Sequence, residues 1–256
     1  NGAGYLSFDG NDDYVDLGTN LLSGSGDFSI SLWVQTTGID QVIIQQRNGG
    51  FNGEHQLRVN ESGRPEFWTY SDGWQWAATA IETINDGNWH HIAAVLNEDN
   101  VSVFVDGALE TEGTFDNTVT GNGSDNLSFG HSPWASEYYS GLLDEIRIWN
   151  TTRTQSEIQN NMSSELNGNE TGLVGYWNFN EGTGTTLTDQ TSNGNHGTIS
   201  GASWTGNGAP VTAATTPTTT HSTPHPTPHQ HTPQNTYPHT TDHTPSHPPP
   251  HNISSS

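Results

Sequence analysis

The segment DFSISLWVQTT, residues 27–37, alternates apolar side chains with other side chains at a period of two. One face of the segment would carry Phe28, Ile30, Leu32 and Val34, and the other would carry Ser29, Ser31, Trp33 and Gln35. Successive side chains of a β-strand point to opposite faces of the sheet, so this pattern predicts a strand that buries one face in a core.

The same pattern recurs around turn sequences. In residues 89–110, WHHIAAVLNEDNVSVFVDGALE, two apolar runs flank the polar turn 97–100, and Asp106-Gly107 follows the second run. Asp-Gly between apolar runs favours a type I′ hairpin, because both residues accept positive φ. Residues 64–80, RPEFWTYSDGWQWAATA, repeat the arrangement around Ser71-Asp72-Gly73. Many short strands with frequent turns predict an all-β, two-sheet antiparallel jelly-roll sandwich.

One short helix interrupts the strands. In residues 151–166, TTRTQSEIQNNMSSEL, Thr154 and Glu157 fit the capping box that begins a helix. Ile158, Met162 and Leu166 follow at a spacing of four and form an apolar stripe. We expect this helix to dock on the sandwich and to be structural.

Composition divides the 256-residue chain near Val211. Residues 1–211 contain the aromatic and aliphatic side chains of one folded domain, whereas residues 212–256 hold 13 Thr, 10 Pro and 8 of the 13 His. Such a segment lacks the apolar side chains of a core and is a low-complexity tail. The first residue is Asn1, which favours a processed, secreted form over a trimmed chain.

The charge is strongly negative. Five arginines and no lysine stand against 28 carboxylates, which gives a formal net charge of −23. A nucleic-acid backbone would be repelled by this surface, whereas divalent cations would be attracted. We therefore expect no nucleic-acid partner. No apolar run is long enough to span a membrane, so we also expect no membrane span.

Five segments together resemble the laminin-G-like domains of the concanavalin A-like lectin/glucanase superfamily. They cover residues 4–18, 28–38, 87–109, 141–162 and 172–204, and include FDGNDDYV and the segment DQTSNGNHG. In many members the Asn-Gly-rich strand precedes the Phe-Asp-Gly strand, but here it follows the helix. The strand that completes the sandwich must therefore come from the C-terminal side of this chain or from a neighbouring subunit.

The resemblance implies a structural calcium ion (Ca²⁺), with Asp144 as one side-chain ligand. Calcium takes six to eight oxygen ligands, and two further segments offer carboxylate and amide oxygens. The predicted ligands are Asp9, Asp144 and Asp189, with Asn193 next. Alternatively, Asp9 and Asp189 only accept backbone hydrogen bonds in Asx turns, which their Gly and Asn neighbours would equally allow.

Catalysis is not expected. Glycoside hydrolases need two carboxylates that flank one bond. The one acidic pair on a strong strand is Asp144-Glu145, in GLLDEIRIWN at 141–150. Adjacent residues of a regular strand point to opposite faces, so this pair would not share a site. Asp144 would lie on the same face as Leu142, Ile146 and Ile148, which we expect to be the core face.

Exposed aromatic rings could bind glycans. Trp68 and Tyr70 share one face of a predicted strand, and Trp74 and Trp76 share a face of the next. Trp134 lies near a predicted loop. Trp74 and Trp134 are the predicted glycan contacts because turns flank both. The alternative is that these rings pack in the core.

The tail repeats Thr-Pro and Pro-His pairs, which favour extended polyproline II structure. It could bind metal through histidine, act as an O-glycosylated stalk, or lie as an ordered arm along another subunit. Thr/Pro-rich sequence is typical of glycosylated stalks, and the predicted sites are Thr218, Thr219, Thr223, Thr227 and Thr232.

The sequence therefore predicts a secreted, non-enzymatic structural or adhesive subunit at the cell surface. Calcium would stabilise the sandwich, and the glycosylated tail would serve self-association into a filament or surface layer. The alternative is a carbohydrate-binding, lectin-like module of a larger secreted protein.

Overall fold

The computed structural model describes residues 4–22, 26–46, 52–71, 74–114, 126–132 and 136–214, and only the backbone of residues 52–54, 70–71 and 74–76. The chain divides into two units, Asn1–Thr216 and Pro217–Ser256. All five predicted glycosylation threonines lie outside the described residues, as does Trp134.

The described part of the first unit is a sandwich of two antiparallel sheets, as the sequence predicts. Strands are numbered along the chain. Sheet A has the order β10 (Ala108–Thr114), β9 (Asn100–Val105), β8 (Trp89–Asn97), β3 (Phe28–Gln35), β14 (Ser140–Trp149), β1 (Tyr5–Asp9) and β18 (Ser203–Thr205), with β15 (Leu173–Trp177) also paired to β14. Sheet B has the order β16 (Thr186–Leu187), β17 (Gly197–Ser200), β2 (Tyr14–Asp16), β11 (Leu127–Phe129), β4 (Gln41–Gln46), β5 (Asn52–Val59), β6 (Pro65–Ser71) and β7 (Trp74–Thr79). A small ribbon joins β12 (His131–Ser132) to β13 (Glu137–Tyr138).

The core lies between the two sheets. Phe28, Ile30, Leu32 and Val34 of β3 are each at most 4% exposed and belong to the main apolar cluster. Sheet B contributes residues such as Leu57 to the same cluster. The period of two in residues 27–37 is therefore confirmed as the signal of a core strand.

The hairpin between β9 and β10 also follows the sequence. Asp106 and Gly107 have φ values of 48° and 77°. Both central residues are in the left-handed region, as a type I′ turn requires. Asp106 also accepts a hydrogen bond from the backbone of His91, which ties the turn to β8.

The C-terminal side of this chain completes the sandwich. Strand β17 pairs with β2, and β18 pairs with β1. Beyond β18, Thr212 forms a parallel bridge with Ser164. Residues 208–214, which we call the strap, thus remain bound to the sandwich beyond Val211.

The helix α1 (Gln155–Asn161) begins at Thr154 with the predicted capping box. Ile158 packs on Ala93, Val95 and Phe104, on the outer face of sheet A. The predicted apolar stripe was too long: Met162 is the C-cap, and Leu166 belongs to a separate cluster beyond the helix.

Strand β14 departs from the predicted alternation. Its pairing with β3 shifts between Asp144 and Arg147, and Glu145 has a φ of 54°, which marks a β-bulge. The bulge inserts one extra residue, so Leu143, Ile146 and Ile148 face the core. The assignment of Asp144 and Leu142 to the core face was wrong, because it assumed a regular strand.

Candidate functional site

Asp144 lies beneath the strap, on the outer face of sheet A. Its carboxylate accepts hydrogen bonds from the backbone N–H groups of Glu145 and Ala209, both at 2.8 Å. The side chain is fully enclosed, and burial raises its pKa to about 8. A carboxyl group with this pKa is mostly protonated at neutral pH.

Glu145 lies on the same outer face as Asp144. Arg147 donates to its carboxylate at 2.6 Å, and the Tyr176 hydroxyl donates at 2.9 Å. Burial raises the pKa of Glu145, while the positive charge of Arg147 lowers it. The expectation that Asp144 and Glu145 point to opposite faces was wrong because of the bulge. Both carboxyl groups are nonetheless enclosed, at 0% and 1% exposure, and bound by protein donors.

Asp189 organises the loop between β16 and β17. Its carboxylate accepts hydrogen bonds from the backbone N–H groups of Tyr176, Thr191 and Asn195 and from the Thr191 hydroxyl. The bond from Thr191 N–H, two residues on, is the Asx turn that the sequence offered as an alternative. Asn193 donates through its amide to the carbonyl of Val174.

Asp9 lies at an exposed corner where β1 leads into β2. Its carboxylate accepts from the backbone and side-chain N–H groups of Asn11, and these bonds lower its pKa. The carboxylates of Asp9, Asp12 and Asp13 come within 4.8 Å of one another. Burial raises the pKa of Asp13, and its side chain also accepts from the backbone of Asp9.

Asp9 and Asp144, two of the predicted calcium ligands, are not brought together. Asp9 pairs with Ser140 across β1 and β14, whereas Leu143 pairs with Leu6. Asp144 is therefore four residues along β14 from the partner of Asp9, a distance of roughly 13 Å at the rise of a strand. The structure groups Asp9 with its neighbours in FDGNDDY rather than with Asp144.

Polar and aromatic side chains line a cleft on the outer face of sheet B. The register of β5 with β6 places Gln56 opposite Trp68 and Arg58 opposite Glu66. Leu57 and Phe67, between them, face the core. The cleft has a volume of about 280 Å³, and its walls are Asp40, Arg58, Asn60, Glu61, Glu66 and Trp68.

The side chains of the cleft hold one another in place. The Arg58 guanidinium binds the Asp40 carboxylate and lies 4.8 Å from the centre of the Trp68 ring. The Trp68 indole N–H donates to Glu66 at 2.5 Å, and the Thr79 hydroxyl donates to the other Glu66 oxygen at 2.6 Å. Binding sites for small polar ligands commonly combine fixed donors, acceptors and an aromatic ring in one concave site.

The floor of this face keeps further polar groups buried. Gln56 donates to Gln45 at 3.1 Å, and both side chains are at most 4% exposed. Among the described residues, neither Gln56 Oε1 nor Arg58 Nε has a hydrogen-bond partner. A buried polar atom without a partner is costly to the folded protein.

The predicted glycan contacts, Trp74 and Trp134, do not line this cleft among the described residues, and they stay a prediction. Trp74 begins β7, with its backbone opposite Tyr70, and Trp76 is opposite Trp68. Trp134 falls outside the described residues. Asp40, Arg58 and Glu66 were missed, although the turn at Asn60–Arg64 could have indicated that Arg58 and Glu66 face each other.

Solved structures share this fold. A putative carbohydrate binding protein from Bacteroides ovatus has a TM-score of 0.62 at 17% identity; the match covers 82% of this chain and 62% of that one. The CBM40 of the Ruminococcus gnavus IT-sialidase, bound to α2,3 sialyllactose, has a TM-score of 0.51 at 12% identity, covering 61% and 95%. No curated protein matches the sequence.

The family comparison is more direct. The model of the Laminin_G_3 family, described as the concanavalin A-like lectin/glucanases superfamily, matches residues 9–159, more than half of the chain. That range includes Asp9, the Asp40–Trp68 cleft and the first five residues of helix α1. The resemblance found in the sequence is thereby confirmed, and the chain belongs to the concanavalin A-like lectin/glucanases superfamily.

Proposed function

We propose that the sandwich is a non-catalytic, extracellular carbohydrate-binding domain whose sugar occupies the Asp40–Trp68 cleft. The observation that carries the proposal is the arrangement of Arg58, Glu66 and Trp68 around one cleft on an outer sheet face. Sugar rings present C–H groups to aromatic faces and hydroxyl groups to carboxylates and guanidinium groups, and this cleft offers all three kinds of partner.

The structural relatives support the same proposal. The Bacteroides ovatus protein is described as a putative carbohydrate binding protein, and the Ruminococcus gnavus module is bound to a sugar. Sequence identities of 17% and 12% indicate a shared fold. This chain spans 62% of the length of the Bacteroides ovatus protein. Among the described residues no helix is long and apolar enough to cross a membrane.

The position of the acidic pair supports a non-catalytic role. Asp144 and Glu145 share one face, but the strap, Arg147 and Tyr176 bind them. A glycosidase needs its two carboxylates on either side of a bound sugar. Two enclosed carboxyl groups that are already bound by protein donors cannot act in that way while the strap is in place.

A calcium ion at the exposed corner is the second part of the proposal. Two oxygens bound to one calcium at about 2.3–2.6 Å lie at most about 5 Å apart, and the carboxylates of Asp9, Asp12 and Asp13 meet that condition. The residues therefore fit the ion, which would fix the turn between β1 and β2. Of the predicted ligands this site retains Asp9; Asp144 lies four residues along β14 from the partner of Asp9, and Asp189 and Asn193 lie in the loop between β16 and β17.

The calcium proposal has a simple thermal test. Calcium should raise the melting temperature of the wild-type protein, and a chelator should reverse the rise, since a ligand that binds the folded state stabilises it. Asp12→Asn should abolish the response, whereas Asp99→Asn, at the exposed β8–β9 turn, should retain it. A melting temperature that ignores both calcium and chelator would contradict the proposal.

Affinity measurements test the carbohydrate site. Trp68→Ala and Arg58→Gln should each weaken binding to a neutral oligosaccharide by at least about tenfold, the usual cost of losing a central contact. Trp204→Ala is the matched control, because this tryptophan lies on β18 of sheet A. Circular dichroism would establish that each variant is folded. Equal affinity in wild type and both cleft variants would refute the assignment of the site.

The assembly role that the sequence analysis placed first rests on the composition of residues 212–256. Since residues 215–256 lie outside the described part of the chain, it stays a prediction. Electron microscopy of the full-length protein and of a chain ending at Ala214 is its test. Filaments that require the tail would support assembly, and single particles in both samples would contradict it.

A further inference from the structure

The charges around the Asp40–Trp68 cleft are unbalanced. Among the described residues, its walls carry the carboxylates of Asp40, Glu61 and Glu66 and one cation, Arg58. The Arg58 charge is already compensated, because its guanidinium binds Asp40, whose side chain is 64% exposed. Arg58 itself is buried, at 5% exposure, so its charge is not presented to solvent.

Glu137 of β13 is a further carboxylate on which these charges act. Burial raises the pKa of Glu137, the positive charge of Arg58 lowers it, and the negative charge of Asp40 raises it. The surrounding molecule adds to this field, since the chain has no lysine and a formal net charge of −23.

This environment discriminates among sugars. A ligand that carries a carboxylate or sulfate must approach Asp40, Glu61 and Glu66, and like charges brought together oppose binding and slow the encounter. A sugar hydroxyl has no such penalty, because it can donate to a carboxylate and accept from a guanidinium.

We infer that the Asp40–Trp68 cleft selects neutral glycans and rejects glycans that bear carboxylate or sulfate groups. This inference rests on the proposed function and adds the class of sugar to it. The selectivity comes from the charges in the walls: Arg58 is buried and bound to Asp40, which leaves the carboxylates of Glu61 and Glu66 without an opposite charge among the described walls of the cleft.

Matched ligands that differ in charge test the inference. Isothermal titration calorimetry on the full-length protein would compare lactose with 3′-sialyllactose, and methyl-esterified with de-esterified oligogalacturonides, together with neutral gluco-, xylo- and arabino-oligosaccharides. The neutral member of a bound pair should bind at least about tenfold more tightly at low ionic strength. The ratio should shrink in about 0.5 M NaCl, because salt screens the repulsion of an exposed site.

A variant that lacks one charge separates the effect of charge from the effect of ligand shape. Glu61→Gln removes an exposed charge from the wall of the cleft, so it should narrow the ratio between neutral and anionic ligands. Asp99→Asn removes the same charge from the exposed β8–β9 turn and should leave the ratio as in wild type.

The outcomes separate the two claims. A neutral preference that narrows in Glu61→Gln supports both the site and its selectivity. Equal or tighter binding of the anionic members, abolished by Trp68→Ala, would overturn the selectivity and leave the carbohydrate site standing. Absence of binding to every sugar in the panel would overturn both.

Discussion

The substitution Asp144→Asn should stabilise the protein at neutral pH. The carboxyl group lies under the strap, and burial raises its pKa from 3.8 to about 8. A carboxyl whose pKa is higher in the folded state binds more protons folded than unfolded between pH 3.8 and about 8. Stability from this group is therefore fully present below pH 3.8 and is lost as the pH rises through that window.

The magnitude follows from linkage. Each pH unit inside the window changes the free energy of unfolding by about 1.4 kcal/mol, so the loss at pH 7 is on the order of 4 kcal/mol. Asparagine carries no charge at any of these pH values. The Glu145 and Ala209 N–H groups donate to different oxygens of Asp144, so asparagine keeps an acceptor for one of them and turns its NH2 group towards the other, at a cost of about 2 kcal/mol. The expected net gain at pH 7 is about 2 kcal/mol.

Urea unfolding between pH 5 and pH 8 measures this effect. The free energy of unfolding of the variant should fall less with pH than that of wild type, by about 1.4 kcal/mol for each unit. The exposed Asp99→Asn is the control for a general loss of negative charge. If Asp144→Asn were less stable than wild type, with the loss confined to calcium-containing buffer, Asp144 would be an ionised metal ligand and the reasoning would be refuted.

Three further substitutions test the packing of the sandwich. Burial lowers the pKa of His55 to about 4, so the stabilisation from this group is present above pH 6.5 and is lost as the pH falls towards 4. The free energy of unfolding of wild type should therefore fall by about 3 kcal/mol more between pH 7 and pH 4 than that of His55→Phe, as measured by urea unfolding. Gly113→Ala should lower stability by about 2 kcal/mol or more, because a Cβ there would lie 1.6 Å from the carbonyl oxygen of Ala77. An unchanged melting temperature would show that β7 and β10 are not so close. Thr154→Ala should cost about 1 kcal/mol in chemical denaturation through loss of the helix cap, and Thr154→Ser should restore it.

The fold could be predicted because its signals are local. The alternation around Leu32 and the Asp106-Gly107 turn each depend on a few neighbouring residues, and both are confirmed. Helix α1 was found from its capping box for the same reason. Its end was misjudged, because Met162 and Leu166 continue an apolar spacing that the chain does not use as a helix.

The candidate sites depend on contacts that are distant in sequence. The regular spacing of GLLDEIRIW contains no sign of the bulge at Glu145, so its two carboxylates were assigned to opposite faces. The strap over Asp144 follows only from the position of Ala209, 65 residues away. The cleft likewise requires Asp40 to meet Arg58 across the pairing of β4 with β5.

The proposed carbohydrate site is tested most directly by locating the residues of the sandwich that a bound sugar contacts. Two-dimensional NMR of the labelled protein would follow the indole N–H signals during titration with a neutral oligosaccharide, with the Trp68 signal assigned from Trp68→Phe. The account predicts shifts at the Trp68 indole and at the backbone amides of Arg58 and Glu66, with sheet A unchanged. Shifts confined to Trp89 and Trp204, on sheet A, would contradict it.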